Sequence, residues 1–174
     1  MSDRTDAYAA ALLQVAKAEG SLETVEDELF KMARTLEAND QLLSTLTDGT
    51  IPVDRRQGIV EDLLGGKASP VTVALVSFVV GAGRGRDLTT IIDKLVEEAA
   101  EERQEAVAEV RSTIPLTEDQ RTRMAEALGR ATGKHVSVKV VIDPSVLGGI
   151  VARVGDTVID GSIRHRLEQL RQQF

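Results

Sequence analysis

The sequence contains no cysteine and no tryptophan, and only two histidines, three phenylalanines and one tyrosine. The absence of cysteine excludes disulfide scaffolds, thiolate nucleophiles, zinc fingers and iron–sulfur sites. Two histidines cannot by themselves form a common metal site, and so few rings give little surface for stacking on single-stranded nucleic acid. The net charge of −7 repels phosphate backbones. We therefore expect no metal, no cofactor and no nucleic-acid partner.

No hydrophobic run has the length of a membrane span. The longest uncharged apolar segment covers residues 71–82, whereas a transmembrane helix needs about 20 residues. Residues 1–4 begin an amphipathic segment and contain no apolar signal region. These features predict a cytoplasmic protein without direct membrane insertion.

Aliphatic residues supply the material for a core. The 174 residues are 42% hydrophobic but only 2% aromatic, which suits one or two domains with closely packed aliphatic helices. Residues 1–103 carry 19 acidic and 11 basic side chains, a net charge of −8, whereas residues 104–174 carry 9 and 10, a net charge of +1. This shift predicts a boundary between two domains, residues 1–104 and 105–174.

The first hundred residues are patterned as six consecutive helices, because apolar positions recur at i, i+3, i+4 and i+7. Gly20 ends the first helix, and Ser21 is placed to cap the second. The predicted helices cover residues 4–18, 22–36, 40–46, 52–64, 70–82 and 87–99. This pattern predicts an N-terminal six-helix bundle.

The fifth segment, residues 70–82, is apolar on every side and rich in valine, which also fits a strand. Ser69 followed by Pro70 favours a helix, since serine caps the helix and proline occupies its first position. A helix without a polar face is buried inside a bundle or presents one face to a partner.

After residue 104 the hydrophobic period changes to that of strands. Thr117 and Gln120 form a capping box that begins a helix to about residue 132, and Gly155-Asp156 has the composition of a two-residue hairpin turn. The predicted strands cover residues 106–114, 135–142, 150–154 and 157–160, and Ser162 begins a last helix. Val136, Val138, Val140 and Ile142 are expected to face one way. The whole chain is therefore predicted to be α+β, a helical bundle followed by a small α/β domain.

No catalytic motif stands out. The stretch from Gly81 to Gly85 is similar to a phosphate-binding loop, but it follows a helix and is interpreted as a helix stop. His165 lies beside arginines and is a poor general base, while Asp156 and Asp160 are interpreted as turn residues. Four arginines near the C-terminus either bind an acidic partner or are merely solvated: Arg153, Arg164, Arg166 and Arg171.

Residues 148–170, GGIVARVGDTVIDGSIRHRLEQL, resemble the C-terminal signature of the delta subunits of F-type ATP synthases, whose mitochondrial counterpart is the oligomycin-sensitivity-conferring protein. Residues 7–12, AYAAAL, are similar to the start of that family. The loop 81–86 is richer in glycine than is usual there, and Asp6-Ala7 replace a basic residue that often precedes the tyrosine. The signature positions, mainly structural, are Gly148, Gly149, Gly155, Asp156, Asp160, Gly161, Ser162, Arg166 and Leu167.

The resemblance implies a non-catalytic stator subunit in the peripheral stalk, located at the cytoplasmic face of the cell membrane. In the family, the helical bundle binds N-terminal helices of the alpha subunits in a groove between its first and fifth helices. The C-terminal domain binds the b-type stalk subunits, so that rotor torque is resisted and proton transport is coupled to ATP synthesis. By position, the groove residues are Tyr8, Ala11, Leu12, Val15, Leu75, Phe78 and Val79.

Other interpretations stay open. Tyr8, Leu75 and Val79 fit a role confined to the core as well as a role in the groove. A small α/β enzyme with a helical regulatory bundle would need a polar pocket formed by His135, His165 and the two aspartates of the hairpin region. An anion-binding module would use the arginines of the last helix.

Overall fold

The computed structural model describes residues 2–146, 149–155 and 157–160. By its internal contacts, the chain divides into two units, residues 1–99 and residues 100–174. The described elements are seven α-helices, a short 3₁₀ turn and a four-stranded sheet. A mixed fold of this kind confirms the α+β class.

The first unit is helical. It contains five complete helices, and a sixth continues three residues past the division at residue 99. A 3₁₀ turn, Gly85–Asp87, precedes the sixth. The helices are α1 (Ser2–Ala18), α2 (Leu22–Glu37), α3 (Asp40–Thr47), α4 (Val53–Leu64), α5 (Pro70–Gly81) and α6 (Leu88–Glu102).

Local sequence signals explain most helix ends. Gly20 adopts a left-handed φ of +64° after α1, a conformation that other residues disfavour. The side chain of Asn39 accepts a hydrogen bond from Leu42 N–H at the start of α3. Ser69 Oγ accepts the Thr72 N–H and Pro70 is the first helical residue. The Ser-Pro start therefore does select helix over strand for the valine-rich segment.

Ser21 occupies the predicted capping position of α2, but the predicted side-chain cap is wrong. Ser21 precedes α2, but its side chain makes no capping hydrogen bond. Its φ of −120° and ψ of 20° depart from the extended conformation with which capping residues aim their oxygen at the helix. Among the described residues, the buried Ser21 Oγ has no hydrogen-bond partner.

The core of the first unit is aliphatic with a single buried ring, that of Phe30. Helices α2 and α6 are amphipathic, and each buries one stripe of apolar side chains in the core, as the 3.6-residue period predicts. Helix α5 buries residues on most of its circumference. The largest fully buried side chains include Val25, Leu29, Leu36, Leu46, Val60, Val76, Val79, Leu88, Ile91, Ile92 and Leu95.

The described part of the second unit contains a sheet of strand order β2-β1-β3-β4, and a helix lies on the chain between β1 and β2. Its elements are β1 (Glu105–Ser112), α7 (Glu118–Thr132), β2 (His135–Ile142), β3 (Ile150–Val154) and β4 (Thr157–Asp160). Strands β1 and β2 are parallel because α7 carries the chain back to the same end. The other two pairings are antiparallel.

One face of this sheet packs against α7. Alternation places Ala108, Val110 and Ala152 on the same face, where they pack with Leu128 of α7. Val136, Val138 and Val140 join this cluster as predicted. Ile142 does not, because it is the last residue of β2 and remains 49% exposed. The first strand also ends earlier than predicted, at Ser112, and leaves Ile114 62% exposed.

Candidate partner-binding surface

An aromatic contact joins α1 to α5. The ring centroids of Tyr8 and Phe78 are 6.0 Å apart, and the ring planes meet at 38°. Aromatic pairs favour tilted or offset arrangements at such distances, because the ring edge is positive and the ring face negative. Two residues that the family resemblance assigned to one groove are therefore neighbours in the fold.

The outer side of this contact is open to solvent. Phe78 is 55% exposed and Val15 is 44% exposed, while Tyr8 is half-buried. Spacing along each helix extends the patch, because i, i+3, i+4 and i+7 positions share a face. We call these residues the α1–α5 surface: Tyr8, Ala11, Val15, Ala74 and Phe78.

Three of the predicted groove residues lie beneath this surface instead of on it. Leu12, Leu75 and Val79 are buried in the core of the first unit. On α1 the inward side holds Leu12 with Leu13 and Ala16, whereas Ala11 and Val15 point outward. A partner therefore has access to Tyr8, Ala11, Val15 and Phe78, and the buried residues support them from below.

The glycine-rich loop after α5 serves backbone geometry. Gly83 has a φ of +73°, and its N–H bonds to Val80 O while the Arg84 N–H bonds to Val79 O. These two bonds form a Schellman motif. A Cβ on Gly85 would lie 2.9 Å from the carbonyl oxygen of Leu46. The loop therefore ends a helix, as the sequence predicted, and is not a phosphate-binding loop. The close approach of Gly85 to Leu46 was not predicted.

Arg84 lies at one end of the α1–α5 surface, and sequence reasoning missed it. Its guanidinium carbon is 5.8 Å from the centroid of the Tyr8 ring, within the range of cation–π attraction. Arg84 Nη1 also donates to Asp87 Oδ2 at 2.9 Å. The sequence shows only that Arg84 directly follows the glycine that ends α5. Its proximity to Tyr8 depends on the tertiary fold.

Glu28 of α2 is hydrogen-bonded to the start of α5. Its carboxylate accepts hydrogen bonds from Ser69 N–H at 2.9 and 3.1 Å and from the Thr72 hydroxyl. Burial opposes ionisation and by itself raises the pKa of Glu28, but the bonds from Thr72 and Ser69, with Lys31 nearby, together lower it. A carboxylate at a helix N-terminus is also favoured by the helix dipole. The role of Glu28 is structural, and it positions the helix that carries Phe78.

Two glycines of the C-terminal signature show why glycine is needed there. Gly149 has a φ of +89° and Gly155 a φ of +56°, in the left-handed region that favours glycine. Asp160 ends β4 opposite Val151. The remaining signature residues lie outside the described part of the chain: Gly148, Asp156, Gly161, Ser162, Arg166 and Leu167. His165, Arg164 and Arg171 lie outside it as well.

A cleft of about 510 Å³ lies at the C-terminal end of α7. Of the residues that an enzyme pocket was expected to use, His135 lines it. Gly133 ends α7 here with a φ of +71° and donates to Gly129 O, so Gly133-Lys134 closes a helix and does not begin one as in a phosphate loop. The lining residues are Ala125, Glu126, Gly129, Arg130, Gly133, Lys134, His135 and Val136.

Two further carboxylates have a lowered pKa for local reasons. Hydrogen bonds from the side chain and N–H of Ser145 lower the pKa of Asp143, and Arg111 contributes. Those from Thr50 lower the pKa of Asp48 in the same way. Over the described ranges, no group of three or more His, Asp or Glu side chains could hold a metal ion. None of the helices within those ranges is both long and apolar enough to cross a bilayer.

A family model described as ATP synthase delta (OSCP) subunit matches residues 5–174 of the chain. The chain is 45% identical over 164 residues to the ATP synthase subunit delta of Nocardia farcinica, with 94% of this chain and 61% of the relative covered. It is 40% identical over 175 residues to that of Kineococcus radiotolerans, with 100% and 63% covered. The chain thus spans about three fifths of the length of these relatives.

A longer relative and a solved structure are also similar. The ATP synthase subunit b-delta of Mycobacterium sp. strain KMS is 41% identical over 169 residues, which cover 96% of this chain and 38% of the relative. A chain in the cryo-EM structure of the Toxoplasma gondii mitochondrial ATP synthase hexamer superposes with a TM-score of 0.56 at 22% identity, with 97% and 96% covered. This second likeness concerns the fold alone.

Proposed function

Because the chain belongs to the ATP synthase delta (OSCP) subunit family, we propose that it is a non-catalytic subunit of the peripheral stalk of an F-type ATP synthase. In this role it links the catalytic head to the b-type stalk subunits and resists the torque of the rotor. Proton transport is thereby coupled to ATP synthesis. The observation that carries the proposal is the match over residues 5–174, which includes parts of both units.

The first six helices, within residues 1–104, form the head-binding bundle in this proposal. Its ligand is the amphipathic N-terminal helix of an alpha subunit, and its binding site is the α1–α5 surface. Support comes from the exposure of Phe78 beside Tyr8. An amphipathic helix binds such a surface through apolar anchors spaced at i, i+3, i+4 and i+7, and aromatic residues are frequent hot spots in interfaces.

Residues 105–174 form the stalk-binding domain in this proposal, and the b-type subunits are its partners. The relatives named ATP synthase subunit b-delta support this assignment, since their name joins the two subunits. The protein would lie at the cytoplasmic face of the cell membrane as a peripheral member of the ATP synthase complex, held there by its partners.

Co-purification tests the proposal. An affinity-tagged full-length chain is expressed in its native host, and detergent extracts of the membranes are purified on the tag. Alpha and b-type subunits should be recovered in the bound fraction. A Phe78→Ser variant should recover less alpha subunit than the wild type, while its yield of b-type subunit is unchanged. Recovery of the folded chain without either subunit would overturn the proposal.

A further inference from the structure

The chain forms a cleft where it passes from α7 into the edge strand β2. Gly133 ends the helix with a φ of +71°, and a Cβ on Gly129 would lie 2.9 Å from the carbonyl oxygen of Lys134. Both glycines line the cleft. Because neither has a side chain, the space stays open; we call it the α7–β2 cleft, with the lining residues given above.

The rim of this cleft is basic. Arg130, Lys134 and His135 line it and are exposed, and Glu126 is the acidic residue in the lining. The helix dipole favours cations at this end of α7. Among the described residues, however, neither Arg130 nor Lys134 has a recorded ion pair or side-chain hydrogen bond, even to the last carbonyl oxygens of the helix. Both cationic groups can therefore donate to a partner.

The local charge contrasts with the charge of the whole chain. Residues 127–142 include Arg130, Lys134, His135 and Lys139 and contain no Asp or Glu, although the chain carries a net charge of −7. Alternation along β2 directs Lys139 to the opposite face of the sheet, where Glu109 is its direct cross-strand neighbour. Positive charge is therefore concentrated at the α7–β2 cleft, and such a site attracts carboxylates and repels cations.

The floor of the cleft is apolar and lies beside an open edge of the sheet. Val136 and Ala125 are half-buried and line it. Strand β2 stands last in the sheet order, and its neighbour within the described ranges is β1. An edge strand keeps backbone groups that an inner strand has already paired. An apolar floor with a basic rim fits a segment of a protein chain that presents aliphatic side chains and carboxylates together.

We propose that the α7–β2 cleft binds an acidic segment of a b-type stalk subunit, with carboxylates of that segment paired to Arg130 and Lys134. The inference rests on the proposed function, because it names the surface and the chemistry by which the second unit holds its partner. The planar guanidinium of Arg130 suits a bidentate carboxylate, whereas Lys134 acts as a point charge. Apolar contacts with Val136 and Ala125 supply affinity, and the ion pairs determine which segment fits.

Charge reversal tests this inference with the full-length chain. The probe is the full-length b-type subunit of the same organism, purified in detergent, together with a series in which each Asp or Glu outside its membrane segment is replaced in turn by Lys. The protein variants are Arg130→Glu and Lys134→Glu. Arg123→Glu is the matched control, since Arg123 is an exposed arginine of the same helix. Circular dichroism and thermal unfolding verify that each variant is folded.

Arg130→Glu and Lys134→Glu should each weaken binding of the parent b-type subunit about threefold to tenfold, because each change removes an exposed ion pair and adds a repulsive one. Arg123→Glu should bind as the wild type does. At least one Lys-substituted b-type subunit should bind Lys134→Glu more tightly than the parent subunit does. A loss of structure cannot produce such a rescue.

Three results would overturn the inference while the proposed function stands. They are wild-type affinity in both cleft variants, an equal loss in Arg123→Glu, and a loss that no Lys-substituted b-type subunit rescues. If the folded wild type does not bind the b-type subunit at all, the stalk-binding assignment of the proposed function is overturned together with the inference.

Discussion

The rings of Tyr8 and Phe78 meet at 6.0 Å across α1 and α5, although 70 positions separate the two residues in the chain. More than half of the Phe78 side chain remains open to solvent beyond that contact. The ring pair is therefore both a link between two helices and the most prominent apolar feature of the surface that they share.

Replacing Phe78 should separate binding from stability. In Phe78→Ser the exposed ring and its contact with Tyr8 are lost, and we expect a stability loss of about 1 kcal/mol. The ligand is a peptide with the N-terminal sequence of the alpha subunit, the partner in the proposed function. Its affinity should weaken at least about tenfold, since aromatic anchors carry much of the energy of such interfaces. Fluorescence anisotropy measures the affinity, and urea unfolding measures the stability. Ile114→Ser, which removes an exposed aliphatic side chain of the second unit, should leave the affinity unchanged.

Leu12 and Val15 give a matched pair on α1. Leu12 is buried and Val15 is 44% exposed, so Leu12→Ala should cost about 2–5 kcal/mol of unfolding free energy, and Val15→Ala less than about 0.5 kcal/mol. Affinity for the alpha-subunit peptide should show the reverse order. After correction for the fraction of folded protein, Val15→Ala should weaken binding more than Leu12→Ala. Equal stability losses in chemical denaturation would contradict this division of α1 into an inner and an outer side.

Glu28 should matter to stability through its charge. Glu28→Gln replaces charged bonds to Ser69 N–H and the Thr72 hydroxyl by neutral ones. We expect a loss of about 1–2 kcal/mol at neutral pH, because hydrogen bonds to charged groups contribute more than neutral ones. Glu61→Gln, an exposed change on α4, is the control and should shift stability by less than about 0.5 kcal/mol.

The effect of Glu28 should depend on pH in one direction. Folding lowers the pKa of Glu28 below its ordinary value of 4.5, so the folded state favours the charged carboxylate. Its stabilising contribution is complete above pH 4.5 and is lost as the pH falls through the lower pKa of the folded state. The difference in unfolding free energy between wild type and Glu28→Gln should therefore narrow on acidification. A difference that widens below pH 4.5 would contradict this assignment.

The capping box of α7 should be measurable by a single substitution. Thr117 Oγ1 accepts the Gln120 N–H at 3.3 Å, and Gln120 Oε1 accepts the Thr117 N–H at 2.9 Å. Thr117→Ala should lower the stability of α7 by about 1 kcal/mol, visible as faster amide hydrogen exchange along that helix. Thr122→Ala on the same helix should not accelerate exchange, because alanine has the higher helix propensity.

Gly83 should tolerate asparagine better than alanine. Its φ of +73° is left-handed, and such a conformation costs an ordinary residue about 1–2 kcal/mol. Gly83→Ala should therefore lower the melting temperature, whereas Gly83→Asn should lower it less, because asparagine visits this region more readily. Equal losses in the two variants would argue against backbone conformation as the reason for glycine at this position.

Local signals predicted the ends of the elements well. The Ser69-Pro70 start, the Thr117–Gln120 box and the strict alternation of residues 135–142 each involve groups within a few positions of one another. The failure at Ser21 is of the opposite kind. Its identity fits a cap, but its φ of −120° and ψ of 20° are not those of a capping residue, and its side chain makes no capping hydrogen bond.

The sequence by itself determined the α+β class, the element order and the family resemblance, because these depend on composition, periodicity and short motifs. It could not decide which side of α5 stays open, since a helix apolar all round has no amphipathic stripe to orient it. Only the packing of the neighbouring helices buries Leu75 and Val79 and leaves Phe78 outside. The same packing brings Arg84 and Tyr8 together from distant positions in the chain, a relationship between elements that no local pattern encodes.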